Sequence, residues 1–217
     1  MKNAAKGKLT LTTKKDDKIQ NTEHFYIPHE SFESAWIPHP DDSIDLCMLN
    51  FNTYENIFKG KGIELFYTPI PIQLIPDDEI INSFDTLEDV FMIGYPNGIW
   101  DSYNNKPIFR KGVTATDYRL DYNNAPEFII DIAVFGGSSG SPVLTKKRFL
   151  DQDDNEVEKT FLLGILYAGF QFTASGEIKI VEIPQTQRAL VRTSIPNNLG
   201  LVIKANQLNA FRELWYG

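Results

Sequence analysis

The chain contains little cysteine and histidine: one cysteine, Cys47, and three histidines, His24, His29 and His39. A single cysteine excludes an internal disulfide, and its apolar neighbours in Leu46–Leu49 predict that Cys47 is buried. No apolar run reaches the length of a membrane-spanning helix, and the N-terminus lacks the apolar core of a signal peptide. We therefore expect a cytoplasmic protein with no metal site and no membrane partner.

Positive charge is also scarce, because 21 Lys and Arg face 29 Asp and Glu, which gives a formal net charge of −8. Binding to phosphate backbones needs clustered cations, so we expect no nucleic-acid partner. The 217 residues are 42% hydrophobic, which is enough to bury the core of one large or two small domains.

Short runs of β-forming residues separated by turn signals predict an all-β protein with antiparallel strands. These runs are Lys8–Thr13, Ile19–Ile27, Ile44–Phe51, Gly62–Thr68, Val90–Gly94, Gly112–Thr116, Glu127–Val134, Val143–Lys147, Thr160–Phe172 and Ile178–Ile183. One helix is predicted, at the C-terminus, where Asn206 can cap 207–215. The acidic stretch 76–89 is the predicted crossover between two β-rich halves.

Residues 131–143, Asp-Ile-Ala-Val-Phe-Gly-Gly-Ser-Ser-Gly-Ser-Pro-Val, place hydroxyl groups in a glycine-rich turn between two strand-like runs. A serine held between glycines can present its hydroxyl outward while neighbouring N–H groups converge on one point, which is an oxyanion hole. An ordinary Gly/Ser turn is the simpler interpretation of such a run in isolation. The surrounding sequence decides between the two.

Two serines are candidate nucleophiles. Ser138 fits the Gly-x-Ser-x-Gly elbow of an α/β-hydrolase, but that fold needs a helix after the serine and a histidine further along the chain. Neither is present, because no histidine follows His39. The remaining choice is Ser139, with the N–H groups of Gly137 and Ser139 as oxyanion donors, and it requires the acid and the base to precede the serine.

The loop at 131–143 resembles the nucleophile loop of trypsin-like serine peptidases, particularly the bacterial group related to the Deg/HtrA proteases. Asp131 and Ala133 stand where that group has an Asp and an Ala before its serine. Three further stretches resemble the same family: Ile37–Leu49, with a His-Pro pair before Asp45; Val90–Gly98, which is similar to the opening of the second barrel; and Gly164–Gly169, which is similar to the strand beside the substrate.

The resemblance implies an all-β fold of two antiparallel six-stranded β-barrels followed by a C-terminal α-helix, with the first barrel incomplete. It divides the chain into an N-terminal partial barrel (1–84), a C-terminal barrel with the nucleophile loop (85–204) and the closing helix (205–217). It implies a serine endopeptidase that cleaves polypeptides without a cofactor.

Residue roles follow from the same resemblance. Ser139 is the nucleophile and Asp45 the triad acid, while Asp131 holds the loop through backbone N–H groups. Ala133 lies at the base of the primary specificity pocket and, being uncharged, implies a preference for uncharged side chains. The strand beside the substrate contributes the substrate-binding positions Gly164, Leu166 and Gly169.

A histidine that fits the triad is missing from the sequence. The family carries it in a turn before the strand that Lys8–Thr13 resembles, so the expected histidine would lie upstream of Met1. His24 is the weak candidate within the chain; a structural or solvent-exposed role is the expectation for His24, His29 and His39. The chain as written is therefore expected to be inactive or impaired, and the alternative is a non-catalytic pseudopeptidase that binds peptides.

Overall fold

Most of the chain is β-sheet in the computed structural model, which describes residues 6–15, 18–28, 35–150, 154–178 and 189–212. The strands are β1 Lys6–Lys15, β2 Lys18–Pro28, β3 Trp36–Pro38, β4 Cys47–Leu49, β5 Glu64–Phe66, β6 Asp89–Gly94, β7 Ile108–Thr114, β8 Glu127–Asp131, β9 Pro142–Leu150, β10 Glu156–Ile178 and β11 Ala189–Lys204. The α-helices among these residues are α1, Phe51–Gly60, and α2, Asp78–Asn82. The prediction of a β-protein is confirmed in this coarse form.

The contacts divide the chain into two compact units. Unit 1 comprises the described residues up to Ile75, the segment Ile99–Ile108 and the described residues from Ala205 onward, and unit 2 comprises Pro76–Gly98 and Phe109–Lys204. The sequence boundary after residue 84 differs from this division. The ring of Phe84, 2% exposed, packs in the core of unit 2 against Tyr118 and Phe161, so the acidic stretch belongs with the strands that follow it.

Unit 2 contains a closed six-stranded barrel with the strand order β10-β11-β8-β7-β6-β9. Alternate residues of each strand point inward, as the two-residue period of a strand requires, so that Phe128 lies opposite Val202 and Val202 opposite Leu166. The fully buried side chains of this core include Val90, Met92, Phe128, Ile130, Val143, Leu163 and Val202. The loop between β8 and β9 projects from this barrel.

Unit 1 contains smaller sheets: three strands in the order β2-β1-β5, and the pair β3-β4. The helix α1 packs its Tyr54 and Phe58 inward, at 7% and 4% exposure. A final 3-10 turn, Ala205–Asn209, continues into helical residues 210–212.

Several predictions from local sequence differ from the structure. The predicted strand Ile44–Phe51 shortens to Cys47–Leu49, and Phe51 instead begins α1, a helix that was not predicted. Burial of Cys47 is wrong, because its side chain is exposed at the edge of the β3-β4 pair. The predicted closing helix begins as a 3-10 turn, and its residues after 212 lie outside the described part of the chain.

Other differences concern β10 and β11. Strand β10 is far longer than predicted, and the predicted run beyond Ile178 lies outside the described residues. Strand β11 was not predicted, because Pro196-Asn-Asn198 has the composition of a turn. In the barrel that segment is a bulge: the pairing with β10 shifts between Gly169 and Gln171, and Asn198 adopts a positive φ of 62°.

None of the helices among the described residues is both long enough and apolar enough to cross a membrane.

Candidate active site

The loop that carries the predicted nucleophile, residues 132–141, leaves the barrel at the end of β8 and returns at the start of β9; it is called the nucleophile loop below. Its backbone folds through consecutive turns, in which Ser138 N–H donates to Phe135 O at 3.1 Å and Ser141 N–H donates to Ser138 O at 3.1 Å. The loop is joined to β10, since Gly140 N–H donates to Leu166 O at 2.7 Å and Leu166 N–H donates to Ser141 O at 2.9 Å. Backbone hydrogen bonds therefore fix its position beside β10.

The two candidate serines of this loop have opposite environments. Ser138 is 0% exposed, and its Oγ accepts hydrogen bonds from the guanidinium of Arg110 at 3.2 Å. Ser139 is exposed, and its Oγ donates to the backbone oxygen of Tyr167 at 2.9 Å. Only Ser139 presents a hydroxyl that a molecule from solvent can reach.

The peptide planes around Ser139 are oriented by their carbonyl groups. Gly136 O accepts from Asn97 N–H at 2.6 Å, and Ser138 O accepts from Ser141 N–H. In a trans peptide the N–H points opposite to its C=O, so the N–H groups of Gly137 and Ser139 are directed away from these bonds. Neither N–H has a hydrogen-bond acceptor among the described residues. The N–H groups of Gly137 and Ser139 can therefore both donate hydrogen bonds to an acceptor on a bound molecule.

Glycine at 137 is required by the backbone conformation. Its φ is +79°, a left-handed value that residues with a Cβ adopt only at a cost. A Cβ at this position would also lie 3.0 Å from Tyr95 O. The glycine therefore permits the turn that directs the Gly137 N–H.

A cavity of about 140 Å³ lies beside Ser139 in unit 2. Its lining combines the nucleophile loop with strand β10: Val134, Phe135, Gly136, Ser139, Leu166, Ala168, Gly169, Phe170 and Gln171. Two predicted substrate-binding residues, Leu166 and Gly169, are among them. None of these lining residues is charged, and this suits an uncharged side chain.

Two other predicted substrate-binding residues do not line this cavity. Ala133 is half-buried, and its carbonyl oxygen accepts a hydrogen bond from Arg110 Nη1. Gly164 lies in the barrel wall, where a Cβ would be 2.1 Å from Ile203 O. Its role is to allow β10 and β11 to approach closely.

Asp131 does not hold the loop in the expected way. It is exposed, and its carboxylate makes no hydrogen bond among the described residues. Its backbone pairs instead with Val113 and Leu199 in the barrel ladder. The side chain that contacts the loop is that of Arg110.

Arg110 is the functional candidate that sequence reasoning missed. Burial lowers the pKa of its guanidinium, and its Nε is buried without a partner. The signal was the two-residue alternation in β7, which puts Arg110 on the same inward face as Ile108 and Gly112 while Phe109 and Lys111 are exposed.

The predicted triad acid, Asp45, lies in unit 1, whereas Ser139 lies in unit 2. The Asp45 side chain is exposed and makes no hydrogen bond within the described part of the chain. Although the Cys47 side chain is exposed, neighbouring atoms partly shield its thiol from water; this desolvation, and then the charge of Asp45, raise the pKa of the thiol, so Cys47 is not an activated nucleophile.

Both ring nitrogens of His39 are occupied within unit 1. The ring is 6% exposed; Nδ1 lies 3.1 Å from Asp41 N and 3.3 Å from Asp41 O, and Nε2 lies 3.2 Å from Gln207 O. The ring also packs edge-on against Phe211. The His24 side chain and all of His29 lie outside what the structure describes.

Within the described residues, no cluster of three or more His, Cys, Asp or Glu side chains is arranged to hold a metal ion. Comparison of the chain with protein-family models, with curated proteins and with solved structures finds no match.

Proposed function

We propose that this chain is a trypsin-like serine endopeptidase in which Ser139 attacks the peptide carbonyl. The observation that carries the proposal is the coincidence, at one loop, of an exposed Ser139 hydroxyl, two N–H donors without acceptors among the described residues and an adjacent cavity lined by uncharged residues. A nucleophile, an oxyanion site and a side-chain pocket are the elements that acyl transfer from a peptide requires.

The fold that accompanies this proposal is the two-barrel arrangement of the trypsin-like peptidases. Its support is the closed six-stranded barrel of unit 2, with the nucleophile loop joining two of its strands. The sheets of unit 1 would represent the partial first barrel, with Asp45 as the acid that orients the catalytic imidazole.

The substrate would lie in extended form along β10. Strand β10 pairs with β9 only as far as Ile165, and from Ala168 onward its ladder in the described residues is with β11 alone. A peptide added at this side would form antiparallel backbone hydrogen bonds with β10. One of its side chains would enter the cavity, and the carbonyl group of that same residue would lie near Ser139.

The chemistry follows the serine route. Ser139 Oγ bonds to the carbonyl carbon while its proton passes to an imidazole, and the N–H groups of Gly137 and Ser139 stabilise the resulting oxyanion. The C–N bond then breaks as the imidazolium returns the proton to the leaving amine. Water hydrolyses the acyl ester by the same steps and restores the serine hydroxyl.

A second function is favoured by the hydrogen bonds of Ser139 and His39. Ser139 Oγ donates to the Tyr167 carbonyl rather than to a base, and both nitrogens of His39 are engaged elsewhere. A serine without a base is a weak nucleophile at neutral pH. The second candidate is therefore a non-catalytic module that binds extended peptides in the same groove.

Peptide cleavage by the wild-type chain and by Ser139→Ala separates these functions. With a library of internally quenched peptides, the endopeptidase proposal predicts cleavage that Ser139→Ala abolishes and that Ser43→Ala, an exposed serine in unit 1, leaves unchanged. Absence of cleavage, with peptide binding of equal affinity to wild type and Ser139→Ala, supports the binding module. Cleavage that persists in Ser139→Ala contradicts the proposed nucleophile.

The imidazole is assigned by the same assay on three variants, His24→Ala, His29→Ala and His39→Ala. The contacts of His39 predict that its loss lowers stability rather than the rate of the chemical step. Loss of cleavage in a folded His24→Ala or His29→Ala variant identifies the base.

The cavity lining predicts a preference for an uncharged side chain before the cleaved bond. Introducing a carboxylate with Ala168→Asp, at a residue that lines the cavity, should admit Lys or Arg, because the new charge then has a partner. Cleavage products from the peptide library, identified by mass spectrometry, give the preference of both proteins. Strong wild-type selectivity for Lys or Arg contradicts this prediction.

A further inference from the structure

Arg110 contacts the nucleophile loop at two points, Ala133 and Ser138. Its Nη1 donates to Ala133 O, and Nη1 and Nη2 each lie 3.2 Å from Ser138 Oγ. Ala133 precedes the glycine turn and Ser138 precedes the proposed nucleophile, so one guanidinium joins two parts of the loop that flank the Gly137 N–H and adjoin the Ser139 N–H. A planar fork with fixed N–H directions suits this bridging better than a flexible ammonium would.

The neighbourhood of Arg110 is arranged around its head group. A Cβ on Gly94 would clash with Ser141 Oγ, so the glycine leaves room for the Ser141 side chain beside the guanidinium. Ser138 Oγ also receives a long contact from Phe135 N–H at 3.4 Å. The oxygen of the Ser138 hydroxyl therefore accepts hydrogen bonds from the guanidinium and from the loop backbone.

The guanidinium makes no ion pair with a carboxylate among the described residues. Other cations of unit 2 differ from Arg110 because they form ion pairs, as Lys147 does with Glu88 and Lys204 with Asp121. A partly buried positive charge without a counter-ion is costly, and it is retained here against a loop carbonyl and a loop hydroxyl.

We propose that Arg110 is a positioning residue that holds the nucleophile loop in the conformation where the Gly137 and Ser139 N–H groups serve as oxyanion donors. The catalytic part of this inference rests on the proposed peptidase function, whereas the structural part does not. The substrate does not touch Arg110, which acts through Ala133 and Ser138.

The structural part is tested by amide hydrogen exchange in Arg110→Ala, followed across residues 132–141. The amides of Ser138, Gly140 and Ser141 are hydrogen-bonded in the wild type, and we expect their exchange to accelerate by at least about tenfold in the variant. Added guanidinium ion should restore slow exchange by filling the vacated site. Arg110→Lys and Ser138→Ala should accelerate the exchange of the same amides, and they replace Arg110→Ala in this test if that variant does not fold.

The catalytic part is tested by the kinetics of the same variants on a cleaved peptide. Misplaced oxyanion donors predict a fall in kcat of about 10²-fold, with KM changed by less than about threefold, and recovery of kcat with guanidinium ion. Lys111→Met is the matched control, because this neighbour in β7 is exposed and pairs with Asp89. It should leave both kinetic constants unchanged.

The outcomes separate the two proposals. Wild-type exchange rates across 132–141 in a folded Arg110→Ala protein overturn the positioning role. If instead exchange accelerates and guanidinium reverses it, but the wild type cleaves no peptide, the peptidase function fails and the role of Arg110 in holding the loop stands. A variant whose loop loosens while kcat stays at the wild-type value overturns the catalytic part alone.

Discussion

At the scale of single residues, the candidate site depends on which side chains of the nucleophile loop are buried and which are exposed. Ser138 and Ser139 are adjacent and chemically identical, yet one is fully buried against Arg110 and the other is exposed beside the cavity. The glycine pattern and the order of residues in the sequence favour Ser139. The guanidinium that contacts Ser138 belongs to Arg110 in β7. The alternation of β7 predicts that Arg110 points inward, but no local pattern predicts that it contacts Ser138.

Gly137→Ala tests the geometry of the oxyanion donors directly. A methyl group at φ +79° and 3.0 Å from Tyr95 O should lower the free energy of unfolding by about 1–2 kcal/mol and turn the Gly137 N–H away from its present direction. The reactivity of Ser139 should fall with it. Urea denaturation and the rate of Ser139 modification measure the two effects.

Gly62→Ala is the control for Gly137→Ala. It introduces the same backbone strain at φ +70°, but a Cβ there has no atom within 4 Å, and the residue lies in unit 1. It should lower stability and leave Ser139 reactivity at the wild-type level. Equal loss of reactivity in both variants would attribute the effect to general destabilisation.

Asp117 predicts a pH dependence of stability. Hydrogen bonds from Arg119 Nε at 2.8 Å and Nη2 at 2.6 Å lower the pKa of this carboxyl from 3.8 to about 2. Because the folded pKa lies below the unfolded one, the stabilisation is fully present above about pH 4 and is lost as the pH falls through about 2.

Asp117→Asn should therefore lower the unfolding free energy at pH 6 by less than about 1 kcal/mol, since the pair is partly exposed. The difference from wild type should disappear near pH 2. Arg119→Met should remove the same pH dependence, and thermal unfolding across pH 2–6 measures all three proteins. A difference that persists undiminished at pH 2 contradicts the assigned pair.

At the scale of elements, strand periodicity identified most of the barrel but not where strands bend or helices intervene. Helix α1 was missed because Phe51, Tyr54 and Phe58 are aromatic residues that favour strands, and their helical spacing becomes decisive only once Tyr54 and Phe58 have a core to enter. Strand β11 was missed because its bulge is built from turn-forming residues. In both cases packing overrides local preference.

Gly164→Ala tests the close approach of β10 and β11. The added Cβ would lie 2.1 Å from Ile203 O and 2.7 Å from Val202 Cγ1, so a barrel strand must shift. We expect a loss of about 1–3 kcal/mol in the free energy of unfolding. Gly60→Ala, at the end of α1 with no atom within 4 Å, should cost nothing, and urea denaturation distinguishes the two. Wild-type stability in Gly164→Ala contradicts this description of the barrel wall.

At the scale of the whole molecule, the two units divide the proposed catalytic residues between them. Unit 2 holds Ser139, the oxyanion donors and the cavity, while every histidine of the chain and Asp45 precede residue 46. The β-rich character and the glycine-rich turn between β8 and β9 could be predicted because both rest on local pattern. The cavity residues Phe135 and Phe170, the contacts of Arg110 and those of His39 could not, because they arise only when distant segments meet.

The central claim is that Ser139 is a nucleophile supported by an oxyanion hole. The most direct test is to incubate the chain with a fluorophosphonate and locate the adduct by tandem mass spectrometry, since the phosphonyl oxygen needs the same donors as a peptide carbonyl. We predict one adduct, on Ser139, that is absent from Ser139→Ala and slowed in Gly137→Ala. Labelling of Ser138, Ser141 or another residue in place of Ser139, or no labelling at all, would contradict the account.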